Sequence, residues 1–131
     1  MQIAGRLGAG TLAAATIAAL MVSCSSGSGT SPSGGTPSAV TITIAHDTVS
    51  PANVVVPQGS QVTFVNNDSG EHLMFSDPHP EHTDCPDINQ VGFLSPGQSR
   101  QTGNLTASGR CGFHDHENPD IQSLHGSITI R

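Results

Sequence analysis

Residues 56–68 read VPQGSQVTFVNND, and their hydrophobic pattern is the clearest indication of the fold. Val62 and Phe64 stand at alternate positions between polar neighbours, which is the pattern of a β-strand with one buried face. Pro57-Gln58-Gly59 precedes the alternation and residues 67–70, NDSG, follow it, and both stretches have turn composition. The stretch therefore predicts a half-buried strand over 61–66 between two tight turns.

The same period of two recurs along the rest of the chain. It is clear at 40–44, where Val40, Ile42 and Ile44 alternate with threonines, and at 127–131. The other candidate strands are 53–56, 71–76, 90–94, 99–105 and 110–114. No window has the apolar stripe of an amphipathic helix. About eight short strands over 39–131 predict an all-β antiparallel sandwich or barrel with a small core.

The N-terminal residues have the composition of a targeting segment. Residues 1–23 combine Arg6 with an apolar run rich in Ala and Leu, which predicts an export signal. Ser23-Cys24 after that run resembles the bacterial lipobox, so we expect lipidation of Cys24; the alternative is an ordinary cleaved signal. Residues 24–38 are rich in Ser, Gly and Pro, as in a flexible tether. We therefore expect an exported protein anchored by lipid to a membrane of the bacterial envelope.

Composition excludes several classes of function. The chain has 131 residues with ten Asp or Glu and four Arg, and it has no Lys, so it cannot neutralise nucleic-acid phosphates. A chain of this length is too short for a large multidomain enzyme. No nucleophile–base set such as Ser–His–Asp is identifiable. We expect a monomeric acidic domain, net charge −7 over 39–131, whose principal partner is a metal ion.

The cysteines permit two interpretations. With Cys24 assigned to the lipid, Cys85 and Cys111 remain as an even pair in an exported domain, which favours a disulfide. The alternative is that Cys111, three residues before His114, binds metal as a thiolate.

Histidine is concentrated in two short segments, 71–82 and 113–119. These hold five of the seven histidines: His72, His79, His82, His114 and His116. Imidazole clusters are typical of Cu(II), Zn or Ni sites, with copper bound most tightly. Carboxylates in the same segments could orient the rings, namely Asp77, Asp115 and Glu117. His46 and His125 stand alone and are interpreted as loop residues, and Met74 as a core residue.

The stretch 56–68, followed by His72, resembles the front half of a cupredoxin. The turn at Pro96-Gly97 and the close LHGSITI at 124–130 are also similar to that family. The resemblance covers 39–131. It implies a Greek-key β-sandwich of seven or eight short strands, with copper bound at one end between loops.

The sequence also departs from the blue-copper members of the family, which carry Cys, His and Met in the last loop. His114-Asp115-His116 stands near the first two places, and Leu124 stands where the Met is expected. A site without thiolate and thioether should be ligated by nitrogen and oxygen. The pattern is similar to small His-rich bacterial cupredoxin-like proteins. That implies a Cys85–Cys111 disulfide and a pool of five histidines, four of which complete a Cu(II) sphere.

Three functions follow as hypotheses. The first is copper sequestration, delivery or resistance outside the cytoplasm, with a copper-accepting protein as partner. The second is electron transfer to a partner protein, which the family suggests. The third is a mononuclear copper enzyme acting on superoxide or another small oxidant. Residue types alone leave zinc open as the metal.

Overall fold

The computed structural model describes residues 39–131, and within them the chain forms nine strands. They are β1 (Val40–Ile44), β2 (Val49–Ser50), β3 (Asn53–Val56), β4 (Val62–Asn66), β5 (His72–Ser76), β6 (Gly92–Leu94), β7 (Ser99–Gln101), β8 (Gly109–Asp115) and β9 (Gly126–Ile130). Two short 3₁₀ turns span Ile88–Gln90 and Gln122–Leu124. No described helix has the length and apolar character needed to cross a membrane. The predicted signal 1–23, Cys24 and the tether 24–38 lie outside the described residues.

The strands form two sheets, which confirms the all-β prediction. One sheet has the order β2-β1-β4-β7 and the other β3-β9-β8-β5-β6. The sheets are mixed rather than purely antiparallel, because β1 pairs with β4 and β3 pairs with β9 in parallel. Parallel neighbours cannot be joined by a hairpin. Between β1 and β4 the chain therefore passes through β3, which belongs to the other sheet.

The core follows the alternation that the sequence predicted. Ile42 and Phe64 from the first sheet and Phe113 and Ile128 from the second are all fully buried. The rings of Phe64 and Phe113 meet edge to face with centroids 5.1 Å apart, a favoured geometry for aromatic pairs. With no Trp or Tyr in the chain, these two rings are the largest side chains of the core.

Some strand boundaries differ from prediction. Within the strand predicted over 90–94, Gln90 is the last residue of a 3₁₀ turn, and only Gly92–Leu94 is a strand. The strand predicted over 99–105 ends at Gln101, while Leu105 forms an isolated bridge with Ser60. The two-residue strand β2 was not predicted, since two residues are too few to show a period.

The register between β5 and β8 decides which side chains share a face. Phe75 lies opposite His114, and Met74 lies opposite Asp115. Met74 and Asp115 are fully buried on the core side. Because successive side chains of a strand point to opposite faces, Phe75 and His114 lie on the outer face of the five-stranded sheet.

A disulfide joins Cys85 to Cys111, with the Cα atoms 5.8 Å apart. The predicted pairing is confirmed, and the alternative of Cys111 as a thiolate metal ligand is wrong. Cys85 lies in the segment 77–91 between β5 and β6, which we call the histidine loop because it carries His79 and His82. The disulfide therefore fastens this loop to β8, the strand that carries His114.

Candidate metal centre

Four of the five predicted histidines meet at one point: His79, His82, His114 and His116. One nitrogen from each ring lies within 4.8 Å of those of the other three. The rings of His79 and His116 have centroids 4.8 Å apart, and those of His82 and His114 are 5.2 Å apart. Two chain segments thus contribute two imidazoles each to one cluster, which we call the four-histidine cluster.

The strand β8 supplies His114, and His116 continues its alternation one residue beyond its end. Asp115 between them points into the core, so both histidines project from the outer face of the sheet. The backbone amide of His116 donates to the carbonyl of Leu73 at 2.7 Å, which continues the pairing with β5 beyond the end of β8. The ring of Phe75 packs against His116 at 5.7 Å and against His82 at 4.7 Å.

The histidine loop supplies His79 and His82. His82 has φ +55°, in the left-handed region that few non-glycine residues adopt. Its backbone amide donates to the carbonyl of Pro78 at 2.7 Å, which closes a tight turn. The amide of Asn89 donates to the carbonyl of His82 at 2.9 Å, and its oxygen accepts from the backbone of Ser76 at 2.8 Å. Asn89 therefore ties the turn to the end of β5.

Hydrogen bonds identify which nitrogens face the centre. His82 Nδ1 donates to the carbonyl of Ser76 at 2.9 Å, so Nε2 carries the lone pair of the neutral ring. His82 Nε2 lies 2.9 Å from His116 Nδ1. Two nitrogens bound side by side to one ion at about 2.0–2.1 Å are about 2.8–3.4 Å apart. The spacing fits two ligands of a single metal ion.

His114 is the buried member of the cluster, with 1 % of its surface exposed. Its Nδ1 donates to Asp77 Oδ1 at 2.7 Å, and its Nε2 is buried without a hydrogen-bond partner among residues 39–131. Burial lowers the pKa of His114 despite the opposing hydrogen bond and charge of Asp77, and the neighbouring His82 and His125 lower it further. A neutral ring leaves the Nε2 lone pair free to bind a metal.

Asp77 reaches His114 because residue 112 is glycine. A Cβ atom at Gly112 would overlap the Asp77 carboxylate, which lies directly over the outer face of β8. Gly112 precedes His114 by two positions and shares its face. The arrangement of carboxylate, imidazole and metal site is the usual way in which proteins orient a histidine ligand.

We expect Asp77→Asn to weaken metal binding by about 10–100-fold, the usual cost of losing such an orienting carboxylate. The asparagine side-chain oxygen is uncharged, so it accepts the hydrogen bond from His114 Nδ1 more weakly than the carboxylate does. The measurement is competition of the copper-loaded protein with a chelator of known affinity. Asp84→Asn is the matched control, because Asp84 is an exposed carboxylate of the same loop. Equal weakening in both variants would mean that only net charge matters.

The fifth predicted ligand, His72, lies apart from the cluster. It is 2 % exposed and shares the core side of β5 with Met74. His72 Nδ1 is 2.8 Å from Asp115 Oδ2, and Nε2 is 3.2 Å from Asp68 Oδ2. The strand register thus places His72 and His114 on opposite faces of one sheet, where they cannot share an ion.

Asp115 was expected to orient metal-binding rings, and its carboxylate contacts one of the five predicted ligands, His72, which lies outside the four-histidine cluster. Its carboxylate also accepts hydrogen bonds from the backbone of Leu73 and Glu117 and from the amide of Asn118. Burial raises the pKa of Asp115, but the hydrogen bonds from His72, Asn118 and the two backbone amides outweigh it, so the pKa is lowered.

The lowered pKa of Asp115 predicts a loss of stability in acid. A carboxyl whose pKa is lower in the folded than in the unfolded state, where it is about 3.9, stabilises the fold above that value. This contribution is lost as the pH falls from there through the folded pKa. We expect the free energy of unfolding of Asp115→Asn to fall less steeply than that of the wild type below about pH 4. Chemical denaturation at several pH values measures the difference, with exposed Asp84→Asn as the control.

The remaining predicted positions lie as follows. Glu117 is exposed, and an orienting role for it remains a prediction. His46 is exposed, while His125 donates from Nε2 to the carbonyl of Pro119 at 2.8 Å, with its ring 5.7 Å from that of His114. Leu124 is a core residue, as is Met74.

Sequence reasoning missed three contributors to the site: Phe75, Asn89 and Gly112. The alternation of side chains along β8 could have identified Gly112, because Gly112 and His114 share a face. The alternation along β5 alone could not have linked Phe75 to the histidines, since that link requires the register between β5 and β8. Nothing in the sequence marks Asn89, whose two hydrogen bonds reach residues seven and thirteen positions earlier in the chain.

Comparison with known proteins adds evidence on the fold. No family model matches the sequence, and no curated protein matches it. Among solved structures, the oxidised state of an amicyanin mutant is similar with a TM-score of 0.58 at 16% identity, over 71% of this chain and 82% of that one. A purple cupredoxin from Nitrosopumilus maritimus is similar with a TM-score of 0.54 at 20% identity, over 70% of this chain and 99% of that one. The domain thus has a cupredoxin-like fold, as the sequence resemblance implied.

Proposed function

We propose that this cupredoxin-like domain binds copper in the four-histidine cluster and serves in copper sequestration, delivery or resistance outside the cytoplasm. The ligands are His79, His82, His114 and His116. The proposal rests on one observation above all: four imidazoles converge, and one of them presents a buried Nε2 with no hydrogen-bond partner in the described domain. A buried nitrogen without a partner costs free energy unless another group binds it.

The donor set favours copper over the other metals that the sequence left open. Four imidazoles form a nitrogen-only site, which suits Cu(II), the divalent ion of highest affinity in the first transition row. The expected ligand atoms are Nε2 of His82 and His114 and Nδ1 of His116. Bound copper would supply a redox-capable ion held by neutral ligands.

The same donor set argues against a blue electron-transfer site. Such a site requires a cysteine thiolate, and Cys111 is in the disulfide with Cys85. The cluster is also graded in exposure: His114 is buried, His82 and His116 are half-buried, and His79 is exposed. An exposed ligand can be replaced by a donor from another protein while the buried ones still hold the ion. This gradient supports delivery of the metal to an accepting protein.

Metal analysis combined with electron paramagnetic resonance tests the proposal. The protein is offered an equimolar mixture of Cu²⁺ and Zn²⁺ and then freed of loosely bound ions. We expect about one tightly held copper ion, with large parallel hyperfine splitting and several coupled nitrogens. Zinc in the cluster and a silent spectrum would refute the copper assignment. An intense blue absorption band would show a thiolate ligand and contradict the disulfide.

We also propose a lipid anchor at Cys24, for which the sequence is the support. In the native host, Cys24→Ala should move the protein from the membrane fraction to the soluble fraction. The reason is that the acyl chains on that cysteine supply the membrane affinity. Immunoblotting of the two fractions measures the shift. An unchanged distribution would mean that Cys24 carries no anchor.

A further inference from the structure

A second group of metal-binding atoms surrounds the histidine that the first cluster leaves out. It consists of His72, Asp68 and Asp47, each with one ligand atom within 4.8 Å of the other two. Asp68 follows β4 and Asp47 precedes β2, so three separate chain segments meet there. We call this group the second cluster.

The position of Asp68 is fixed by the backbone. Its carboxylate accepts hydrogen bonds from the amides of His46 and Asp47, and its own amide donates to Asn66 Oδ1 at 2.8 Å. Asp47 is held in turn, because the hydroxyl of Ser123 donates to its carbonyl at 2.6 Å. The Asp47 side chain is exposed and lies at the solvent side of the cluster.

The tautomer of His72 is fixed from outside the cluster. The Asp115 carboxylate accepts hydrogen bonds from two backbone amides and an asparagine side-chain amide. Because a carboxylate only accepts hydrogen bonds, His72 Nδ1 is the donor in its contact with Asp115. The proton of a neutral His72 ring is therefore on Nδ1. Its Nε2 lone pair then faces Asp68 Oδ2 at 3.2 Å.

Two lone pairs at that distance repel each other unless a cation lies between them. The cation is either a second proton on His72 or a metal ion. Nitrogen and oxygen bound side by side to one ion at about 2.0–2.2 Å are about 3.0–3.5 Å apart, and 3.2 Å lies within that range. A divalent ion would contact all three groups and balance the charge of the two carboxylates.

We propose that His72 Nε2, Asp68 and Asp47 form a second divalent-metal site, with Zn²⁺ as the expected ion. One imidazole and two carboxylates are ligand types that Zn²⁺ accepts in proteins, and a solvent molecule can complete the tetrahedron beside the exposed Asp47. Asp115 is the residue that positions His72 for it, as carboxylates commonly do for histidine ligands. The site shares no residue with the four-histidine cluster, because His72 and His114 project from opposite faces of the sheet.

The test isolates this site by disabling the other. In the double variant His79→Ala/His82→Ala, calorimetric titration with ZnCl₂ should show one remaining equivalent of bound Zn²⁺. Adding Asp47→Asn should weaken that binding at least about tenfold, since even outer partners of a ligand contribute 10–100-fold. Asparagine tolerates the left-handed backbone of residue 47, where φ is +51°. Glu71→Gln is the matched control, because Glu71 is an exposed neighbour of His72 outside the cluster.

The control should leave Zn²⁺ affinity unchanged. No Zn²⁺ binding in the double variant, or equal loss from Asp47→Asn and Glu71→Gln, overturns the proposal and assigns a proton to the contact between His72 and Asp68. A second measurement covers the case in which the double variant does not fold. Native mass spectrometry with excess Zn²⁺ should then count one more ion on the wild type than on Asp47→Asn, and equal counts overturn the proposal. Failure of copper binding at the four histidines changes neither readout.

Discussion

His114→Ala should lower the affinity for Cu²⁺ by more than about 100-fold, beyond the range caused by loss of an outer orienting group. His114 is the ligand whose Nε2 is buried and has no hydrogen-bond partner within the described domain. Removing the ring deletes one nitrogen and also leaves Asp77 without its hydrogen-bond donor. Chelator competition, followed by the copper electron paramagnetic resonance signal, measures the loss and should show one fewer coupled nitrogen.

His46→Ala is the matched control for this experiment. It removes an exposed histidine from the same domain and leaves the four-histidine cluster untouched. Its copper affinity should equal that of the wild type, and circular dichroism should show that both variants are folded. A similar loss of affinity in the two variants would mean that the copper site lies elsewhere.

Replacing both disulfide cysteines, Cys85→Ala/Cys111→Ala, should lower the free energy of unfolding of the metal-free protein by about 3–4 kcal/mol. The bridge closes an interval of 26 residues. For a domain of this size, that loss corresponds to a fall in Tm of more than about 10 °C. The aromatic-poor core makes the bridge a large share of the total stability, since small domains commonly depend on such cross-links.

The same variant should also bind copper more weakly, because the bridge fastens the histidine loop to β8. Without it, His79 and His82 must be ordered against His114 and His116 at the moment of binding. Urea unfolding of the metal-free protein and chelator competition of the loaded protein measure the two effects separately. In the urea unfolding of the metal-free protein, wild type treated with a reductant should behave like the variant. Reduced stability with unchanged copper affinity would show that the loop holds its shape without the bridge.

Much of the fold could be predicted because β-structure leaves a local signature. Val62 and Phe64 in one strand, and Ile128 and Ile130 in another, stand at every second position and so form an apolar face. Both pairs are buried in the core. The parallel pairings of β1 with β4 and of β3 with β9 left no such trace. They depend on contacts between segments far apart in sequence, which no short window contains.

The candidate site could be predicted only as a set of residue types. Histidine density in two segments indicated a metal, and the even pair of cysteines near those segments favoured a disulfide. Which histidine Asp115 contacts could not be predicted, because its neighbours in the chain, His114 and His116, lie on the other face of the sheet and its carboxylate lies against His72. Alternation was visible in the sequence, whereas the face that each side chain takes depends on the partner strand.

Local period and composition were enough to predict an all-β domain with an even pair of cysteines and an excess of imidazole near carboxylates. How the five histidines divide between two clusters depends on strand pairing, which composition does not contain. The register that sets Phe75 against His114 and Met74 against Asp115 turns His114 outward and His72 inward. Because a strand has only two faces, His72 and His114 cannot belong to the same cluster. Four imidazoles converge beneath the histidine loop, and His72 is left to Asp115 and Asp68 on the core side.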